Sequence, residues 1–397
     1  MREAETSRLA GWPPFPVRIA LMFASMFFIT GISTPFLPVW FASCGFTVAE
    51  IGLLSTLPQL VRSFVAPAIG FEADRRHAHR DLVVVLTTVG MAAWLLLSQT
   101  SGFALAFAAM LMVALSNTAA PLVETIAMAG VRTHGHDYGR MRLWGSAAFV
   151  AANLLAGTFA TRFGPSAIIA MLVTGSALAC TVSLFMPRMR QPDAQTPRKP
   201  LTIADARALL HIPQMALVLL AAGAVQGAHG MFYAYGTLHW QTQGYNPSWF
   251  GALWAVGLIT EIALFWWSTA AVRRFGATEL MIFGAGLSVL RWVMMAFDPP
   301  LLVLVPLQIC HGLTFGASHL GAMHVLTKIA PTDRAATAQA LYALVSTLGI
   351  VTATAVAARL YPLAGGATYL AMALMAAISL AAAMRVRSRI AAAISTA

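Results

Sequence analysis

Long apolar runs, each interrupted by only a few polar positions, fill this sequence from residue 17 to residue 384. A bilayer core about 30 Å thick needs about 20 apolar residues in a helix, and that window predicts twelve spans. Six lie at 17–42, 47–70, 82–99, 103–131, 140–160 and 165–186. Six more lie at 213–239, 247–271, 279–297, 300–327, 334–358 and 364–384. The runs are continuous and rich in Leu and Ala, whereas strands of a membrane barrel alternate over about 10 residues. The predicted fold class is therefore an all-α integral membrane protein. The first run is too long for a signal-peptide core and lacks a small-residue cleavage site, so it is expected to stay.

Charge adds an orientation. Of the 25 Lys and Arg residues, 21 fall in the termini and alternate connections, including Arg75, Arg76 and Arg80, Arg132 and Arg140, and Arg273 and Arg274. The opposite connections hold Arg162 and Arg359 alone. Basic residues are retained on the cytoplasmic side, which predicts that both termini are cytoplasmic. The same rule accounts for the net charge of +11 without a nucleic-acid partner. With 59% hydrophobic and 10% charged residues and a mean hydropathy of +0.74, the chain is not an ordinary soluble enzyme, a disordered protein or a nucleic-acid module.

The longest polar stretch, 187–212, is rich in proline and charge at its start and reads as a cytoplasmic linker. It separates two six-helix bundles, 1–186 and 213–397. No phosphate-binding Walker pattern is present, so no ATP hydrolysis and no ATPase subunit are implied. Cys44, Cys180 and Cys310 form no disulfide framework.

The two halves repeat one another. Trp40, Gly45-Phe46 and Ile51-Gly52 correspond to Trp240, Gly244-Tyr245 and Phe250-Gly251, with a constant offset of 199 from the glycines onward. Such a duplication suits transporters whose halves are related by an axis along the membrane normal. The run Gly70-Phe-Glu-Ala-Asp74-Arg75-Arg76 resembles the second-to-third loop motif of the major facilitator superfamily, without that motif's later glycine. Asp137-Tyr-Gly-Arg-Met-Arg142-Leu-Trp144-Gly145-Ser146 is similar to a run in the group of phenylpropionate permeases, nucleoside–proton symporters and lactose permease. Gln226-Gly-Ala-His229-Gly-Met-Phe-Tyr233, Arg291-Trp292 and Gln308-Ile-Cys-His311 look closest to the phenylpropionate permeases.

This resemblance implies two bundles with pseudo-two-fold symmetry and proton-coupled symport of a small organic solute by alternating access. It implies a monomer in a bacterial inner membrane, with no cofactor. Gly70, Asp74 and Arg75 are expected to form a gating loop. The subgroup suggests an aromatic carboxylate such as 3-phenylpropionate, with a sugar or a nucleoside as the alternative.

Ionisable groups inside spans are costly and usually face a cavity or a partner. Helical spacing sorts them into stripes. On the eighth span Trp254, Glu261 and Ser268 recur every seven residues; on the seventh Gln226, His229 and Tyr233 share a face. Gln308, His311, Phe315 and His319 do so on the tenth, and Ser55, Gln59 and Arg62 on the second. The fourth and fifth spans add Glu124, Arg142 and, from the motif above, Trp144. Polar groups set among aromatic ones suit a small organic ligand.

Glu261 is the expected proton-coupling carboxylate, because a buried Glu that alternates between paired and unpaired states can exchange a proton near neutral pH. Arg291 is its expected partner, tuned by His311 or His319. Lactose permease carries a carboxylate, an Arg and a His on its eighth, ninth and tenth helices. It also has a tenth-helix glutamate that is absent here. Each group has a structural alternative: Glu261 with Arg291 as a static ion pair, Arg62 as a snorkelling side chain, the histidines and aromatics as helix packing. His77, His79, His134 and His136 lie in basic turns without a third ligand spacing, so no metal site is expected. A membrane-embedded enzyme is the remote rival, without a nucleophile elbow or metal triad to support it.

Overall fold

The computed structural model describes residues 13–99, 102–188, 203–331 and 334–395. Arg2 and Arg8, and the middle of the expected linker at 189–202, lie outside the described residues. Among the described residues, 89% are helical and none is in a strand. The helices are α1 (Phe15–Ser43), α2 (Val48–Arg76), α3 (His79–Ser98), α4 (Phe103–Ser116), α5 (Ala119–His134), α6 (Tyr138–Phe163) and α7 (Ser166–Leu184). After a short α8 (Ile203–Leu210) come α9 (Pro213–Gly227), α10 (Gly230–Thr242), α11 (Pro247–Trp266), α12 (Ser268–Phe275) and α13 (Ala277–Met295). The chain ends with α14 (Leu301–His311), a π-helical turn (Gly312–Ala317), α15 (Ser318–Ile329), α16 (Ala335–Ala364) and α17 (Tyr369–Ser395). Among the described residues, ten segments are long and apolar enough to cross a membrane.

Local chemistry sets several helix starts. Thr47 and Glu50 form a reciprocal capping box: Thr47 N donates to Glu50 Oε2 at 2.8 Å and Glu50 N donates to Thr47 Oγ1 at 3.3 Å. Asp137 caps α6 by accepting from Arg140 N at 3.1 Å. Asn246 caps α11 from Ser248 N at 3.0 Å, with Pro247 in the first turn. The repeat reappears as geometry. Gly45 and Gly244, 199 residues apart, adopt φ values of +83° and +82° at equivalent turns. Only glycine takes that conformation without steric cost.

The chain forms two compact units. Unit one holds residues up to Ser33 and Phe64–Gln195; unit two holds Thr34–Ser63 and Thr196–Ala397. The boundary cuts through α1 and α2, so their ends around Gly45 belong to unit two. There Tyr235 Oη donates to Val48 O at 2.9 Å, Phe36 lies 6.5 Å from Phe250, and Ser63 Oγ is 3.1 Å from Thr347 Oγ1. The core of unit one gathers Ile19, Phe23, Leu86, Leu122, Ile126 and Met141. A core of unit two gathers Met215, Val218, Met281, Val325, Ala338 and Ala383.

Several of the predicted spans are not continuous α-helices, the eighth among them, which divides at Trp267 between α11 and α12. The fourth divides at Asn117 and Thr118, between α4 and α5, and the seventh divides at Ala228 and His229, between α9 and α10. The tenth carries the π turn between α14 and α15. Glycine permits the break in the seventh. A Cβ on Gly227 would lie 2.8 Å from Gly349 O, and one on Gly230 would lie 2.8 Å from Ile350 O. Gly230 O accepts a hydrogen bond from Thr354 Oγ1 at 3.2 Å, which ties the start of α10 to α16. Apolar periodicity does not register such breaks, because neither removes an apolar residue.

The π turn lies where α14 meets α11. A Cβ on Gly312 would stand 2.5 Å from both Glu261 N and Thr260 C. Overpacking a filled site typically costs about 1–3 kcal/mol, and backbone on both sides leaves little room to relax. Gly312→Leu is therefore expected to lower the thermal midpoint of the purified protein. Gly286→Ala, whose Cβ would find its nearest neighbour at 3.9 Å, is expected to leave it unchanged or slightly raised. Equal midpoints for the two variants would refute the close approach.

Candidate functional site

The densest group of buried polar side chains lies inside unit two. Arg291, on α13, is 0% exposed. Its Nη1 donates to His311 Nδ1 at 3.1 Å and to Thr314 Oγ1 at 3.3 Å, and its Nη2 donates to Gln308 Oε1 at 3.2 Å. The guanidinium carbon lies 4.3 Å from the Trp292 ring and 5.1 Å from that of Phe232. Its Nε has no hydrogen-bond partner, and no carboxylate lies within ion-pair distance of Arg291 among the described residues. An arginine has donors only, so His311 must accept through Nδ1. His311 is therefore neutral here, with its proton on Nε2.

His229, also fully buried, closes the group. Its Nε2 is 3.5 Å from Thr314 Oγ1, and its Nδ1 is held by Val225 O at 2.9 Å, so Nδ1 carries the proton. Its ring stands edge-on to Trp292 at 5.1 Å, to His311 at 5.3 Å and to Phe315 at 5.9 Å. Tyr233 stacks at 5.8 Å from His229 and lies 5.9 Å from Trp254. Trp254 stacks on Phe232 at 4.7 Å and donates its Nε1 to Thr237 Oγ1 at 3.2 Å. A cation held within rings and imidazoles, with donor capacity to spare, is equipped to receive a planar anion.

The structure thus brings together His229, Tyr233, Trp254, Arg291, Gln308 and His311. Glu261 stands apart from Arg291. Its side chain faces the π turn, where a Cβ on Gly316 would lie 3.7 Å from Glu261 Cγ, and its charge acts on Tyr233. The expected Glu261–Arg291 ion pair is not formed among the described residues. The tenth-span stripe carries through the π turn: Phe315 stacks on His311 at 5.7 Å and on His319 at 6.1 Å. His319 lies beyond the π turn, and its Nδ1 is 2.7 Å from Tyr342 Oη. Gln226 lies against the same Tyr342. These two form a second polar station on α9, α15 and α16.

In unit one, Arg142 lies 3.9 Å from the Phe27 ring centroid and bonds Tyr138, whose hydroxyl also senses Glu124. Glu124 and Arg142 form no ion pair among the described residues. Trp144 is 61% exposed and makes no ring contact with the other aromatic side chains described. Gln59 and Arg62 are partly buried in the α2 segment that belongs to unit two, Gln59 one turn before Ser63 and Arg62 next to it. At the expected gating loop, Arg75 forms a two-point bond to Glu72 at 2.8 Å on each oxygen, and Arg76 pairs with the same carboxylate. The Arg75 hydrogen bond holds the Glu72 carboxyl below its ordinary value. Asp74 pairs with His79 Nε2 at 3.0 Å, and Gly70 lies one turn earlier on α2. Asp74 and Arg75 therefore serve different partners.

Sequence reasoning passed over Phe232, Trp292 and Thr314. Each is adjacent to, or one turn from, a predicted residue. Their signal lay in proximity to Arg291, which stripes drawn on single helices do not carry.

The profile of the MFS_1 like family matches residues 17–381. The chain belongs to that family of major-facilitator proteins. It is 31% identical over 370 residues to a probable 3-phenylpropionic acid transporter of Escherichia coli K12, covering 90% of this chain and 94% of the other. A maltose permease of Geobacillus stearothermophilus is 25% identical over 82% of each chain. The crystal structure of a mutant of the nucleoside transporter NupG superposes with a TM-score of 0.80 at 18% identity, covering 94% of this chain and 99% of that one. A peptide transporter of the POT type in complex with alafosfalin superposes with a TM-score of 0.75 at 16% identity, over 94% and 95%. The family member described here is a multi-pass membrane transporter, and its relatives are transporters rather than enzymes.

Proposed function

We propose that this transporter is a proton symporter of an aromatic carboxylate such as 3-phenylpropionate, working as a monomer in a bacterial inner membrane. On this reading the ten apolar segments correspond to twelve spans, because one segment contains both α16 and α17 and the charged α2 is a further span. Both termini face the cytoplasm. The bundles 1–186 and 213–397, joined by 187–212, rock about a midplane site.

The observation that carries the proposal is Arg291, completely buried, with a donor to spare and no carboxylate partner among the described residues. A buried charge without a counter-ion is expensive, and a ligand carboxylate would compensate it. Phe232, Tyr233, Trp254 and Trp292 supply ring faces of the kind an aromatic solute packs against. Gln59, Arg62, Glu124, Arg142, Trp144 and Gln226 complete the proposed set of substrate-binding residues.

Coupling follows from charge. Protonating His311 would place two cations side by side, which is unfavourable until an anion joins them. Ligand carboxylate and proton then favour each other's binding, and by linkage the effect is reciprocal. Glu261 serves as the carboxylate that takes and releases the transported proton, with His319 and Tyr342 beyond it toward the other end of the span.

The identity of one relative as a maltose permease and the likeness to a nucleoside transporter favour a second reading, symport of a neutral sugar or nucleoside. A neutral solute leaves the Arg291 charge uncompensated, which is why the carboxylate reading stands first. Labelled 3-phenylpropionate should accumulate in proteoliposomes under an inward proton gradient, above protein-free liposomes, which the neutral acid crosses unaided. Accumulation should be inhibited by cinnamate and insensitive to maltose and uridine. Uptake of maltose or uridine without 3-phenylpropionate would sink the aromatic-acid reading.

A further inference from the structure

Unit two carries another ionisable cluster, at the end of its helices remote from Arg273, Arg274 and Lys328. Asp298, in the turn between α13 and α14, has a half-exposed carboxylate with Oδ1 2.7 Å from His239 Nε2. The His239 side chain, at the end of α10, is only 7% exposed. Its Nδ1 lies 3.3 Å from Tyr361 Oη on α16, and Gln243 Nε2 lies 3.4 Å from its Nε2. The Tyr369 ring of α17 stands edge-on to it at 6.2 Å. These groups, Asp298, Tyr361, Tyr369 and Gln243, are the titratable and polar neighbours of His239 among the described residues. No Lys or Arg pairs with Asp298 or His239 there.

The site is specifically built. Asp298 holds a left-handed φ of +52°, which a non-glycine residue adopts only at a cost. Gly366 leaves the space its carboxylate fills, since a Cβ there would overlap Asp298 Oδ1. Strain combined with a made-to-measure gap points to function rather than to accident.

Beneath His239 a line of polar groups leads inward. Tyr369 and Trp292 are both fully buried and stack at 5.5 Å with rings 1° from parallel. Among the described residues, neither Tyr369 Oη nor Trp292 Nε1 has a hydrogen-bond partner, and neither does Thr368 Oγ1. Trp292 reaches the ring of His229 at 5.1 Å. Buried polar atoms are nearly always satisfied by protein or by ordered water. A row of unsatisfied ones between two histidine sites is what a hydrated passage requires.

We propose that Asp298 and His239 form a proton-acceptor port, from which a water-supported path past Tyr369 Oη and Trp292 Nε1 reaches the His229, His311 and Arg291 cluster. The proposal rests on the proton-coupled reading above. Before a proton arrives, His239 is neutral beside the Asp298 carboxylate: it keeps a proton on Nε2 toward Asp298 and accepts from Tyr361 Oη through Nδ1. An incoming proton from the aqueous phase bonds to Nδ1, and Tyr361 Oη turns from donor to acceptor. The proton leaves when that N–H bond breaks to a water. Each later hop exchanges one O–H bond for another, with no net change in the path.

The test uses the full chain in lipid nanodiscs and in proteoliposomes. Tryptophan fluorescence, with Trp292→Phe supplying the background, should show a pH-dependent step. Asp298→Asn should change that step, because it alters the group facing His239 Nε2; His239→Gln should remove it. An identical step in all three proteins overturns the port. In proteoliposomes, proton-driven accumulation of 3-phenylpropionate should fall about tenfold in either variant at a one-unit pH gradient, with solute exchange kept within about twofold. Unchanged accumulation, or exchange lost in parallel, also overturns it. Wild-type protein that exchanges 3-phenylpropionate but never accumulates it refutes proton symport and the port with it. Wild-type protein that does not take it up refutes the substrate reading alone, and the fluorescence step still decides whether the acceptor exists.

Discussion

Replacing Arg291 by Gln is expected to lower affinity for 3-phenylpropionate by two to three orders of magnitude. Removing one side of a buried, hydrogen-bonded charge pair costs about 2–5 kcal/mol, and each 1.4 kcal/mol is about tenfold in affinity. The loss should be specific to charge. Binding of the uncharged amide of the same acid should be weak in the wild type and nearly unchanged in the variant. Arg291→Lys should recover part of the affinity only, because an ammonium keeps the charge but not the planar fork that reaches His311, Thr314 and Gln308. Stability provides the control. A fully buried guanidinium without a counter-ion is a poor source of folding energy, so the ligand-free Arg291→Gln protein should melt no lower than wild type. The ligand-induced rise in thermal midpoint should disappear. A variant that melts much lower and binds acid and amide equally poorly would assign Arg291 a structural role.

Glu261→Gln is expected to separate transport from accumulation. A pH difference of one unit corresponds to about 1.36 kcal/mol per proton, enough for about tenfold accumulation by one-to-one symport of a carboxylate. In the variant the internal and external concentrations should become equal under the same gradient, while exchange of labelled for unlabelled solute persists. The isosteric amide preserves packing against the π turn but cannot load a proton. Accumulation at the wild-type level would move the coupling role to His311. Exchange and accumulation lost together would instead mark Glu261 as part of solute binding or of the fold. The separation of Glu261 from Arg291 makes this experiment more informative than it would be for a permanent ion pair, because neither charge is the other's counter-ion among the described residues.

Much of the site could be read one helix at a time. Gln308 and His311 lie one turn apart on α14, and His229 and Tyr233 lie one turn apart across the start of α10. Regular spacing, together with the expense of ionisable groups in lipid, was enough to single them out. Spacing does not give a residue's partners on other helices. His319 shares a stacked line with Phe315 and His311, as the spacing expects, and its Nδ1 also meets Tyr342 Oη on α16, which no single-helix pattern contains. Arg291 and Glu261 were paired as the two costliest charges of neighbouring spans. Partner choice depends on helix rotation and depth, which single-helix patterns do not contain.

Composition and apolar run length by themselves determined a helical membrane protein, because main-chain groups in lipid must be satisfied within each segment and leave few architectures. Short polar motifs and the 199-residue offset determined the family and the duplication, since those residues act through local turns and caps such as Gly45 and Gly244. The tertiary structure alone decided that Arg291 is bonded to His311, Thr314 and Gln308, that the ends of α1 and α2 pack within unit two, and that Asp298 meets His239. Those contacts join residues distant in sequence. Their energies depend on which faces the packed helices turn toward one another, and that is a property of the assembled fold rather than of any one segment.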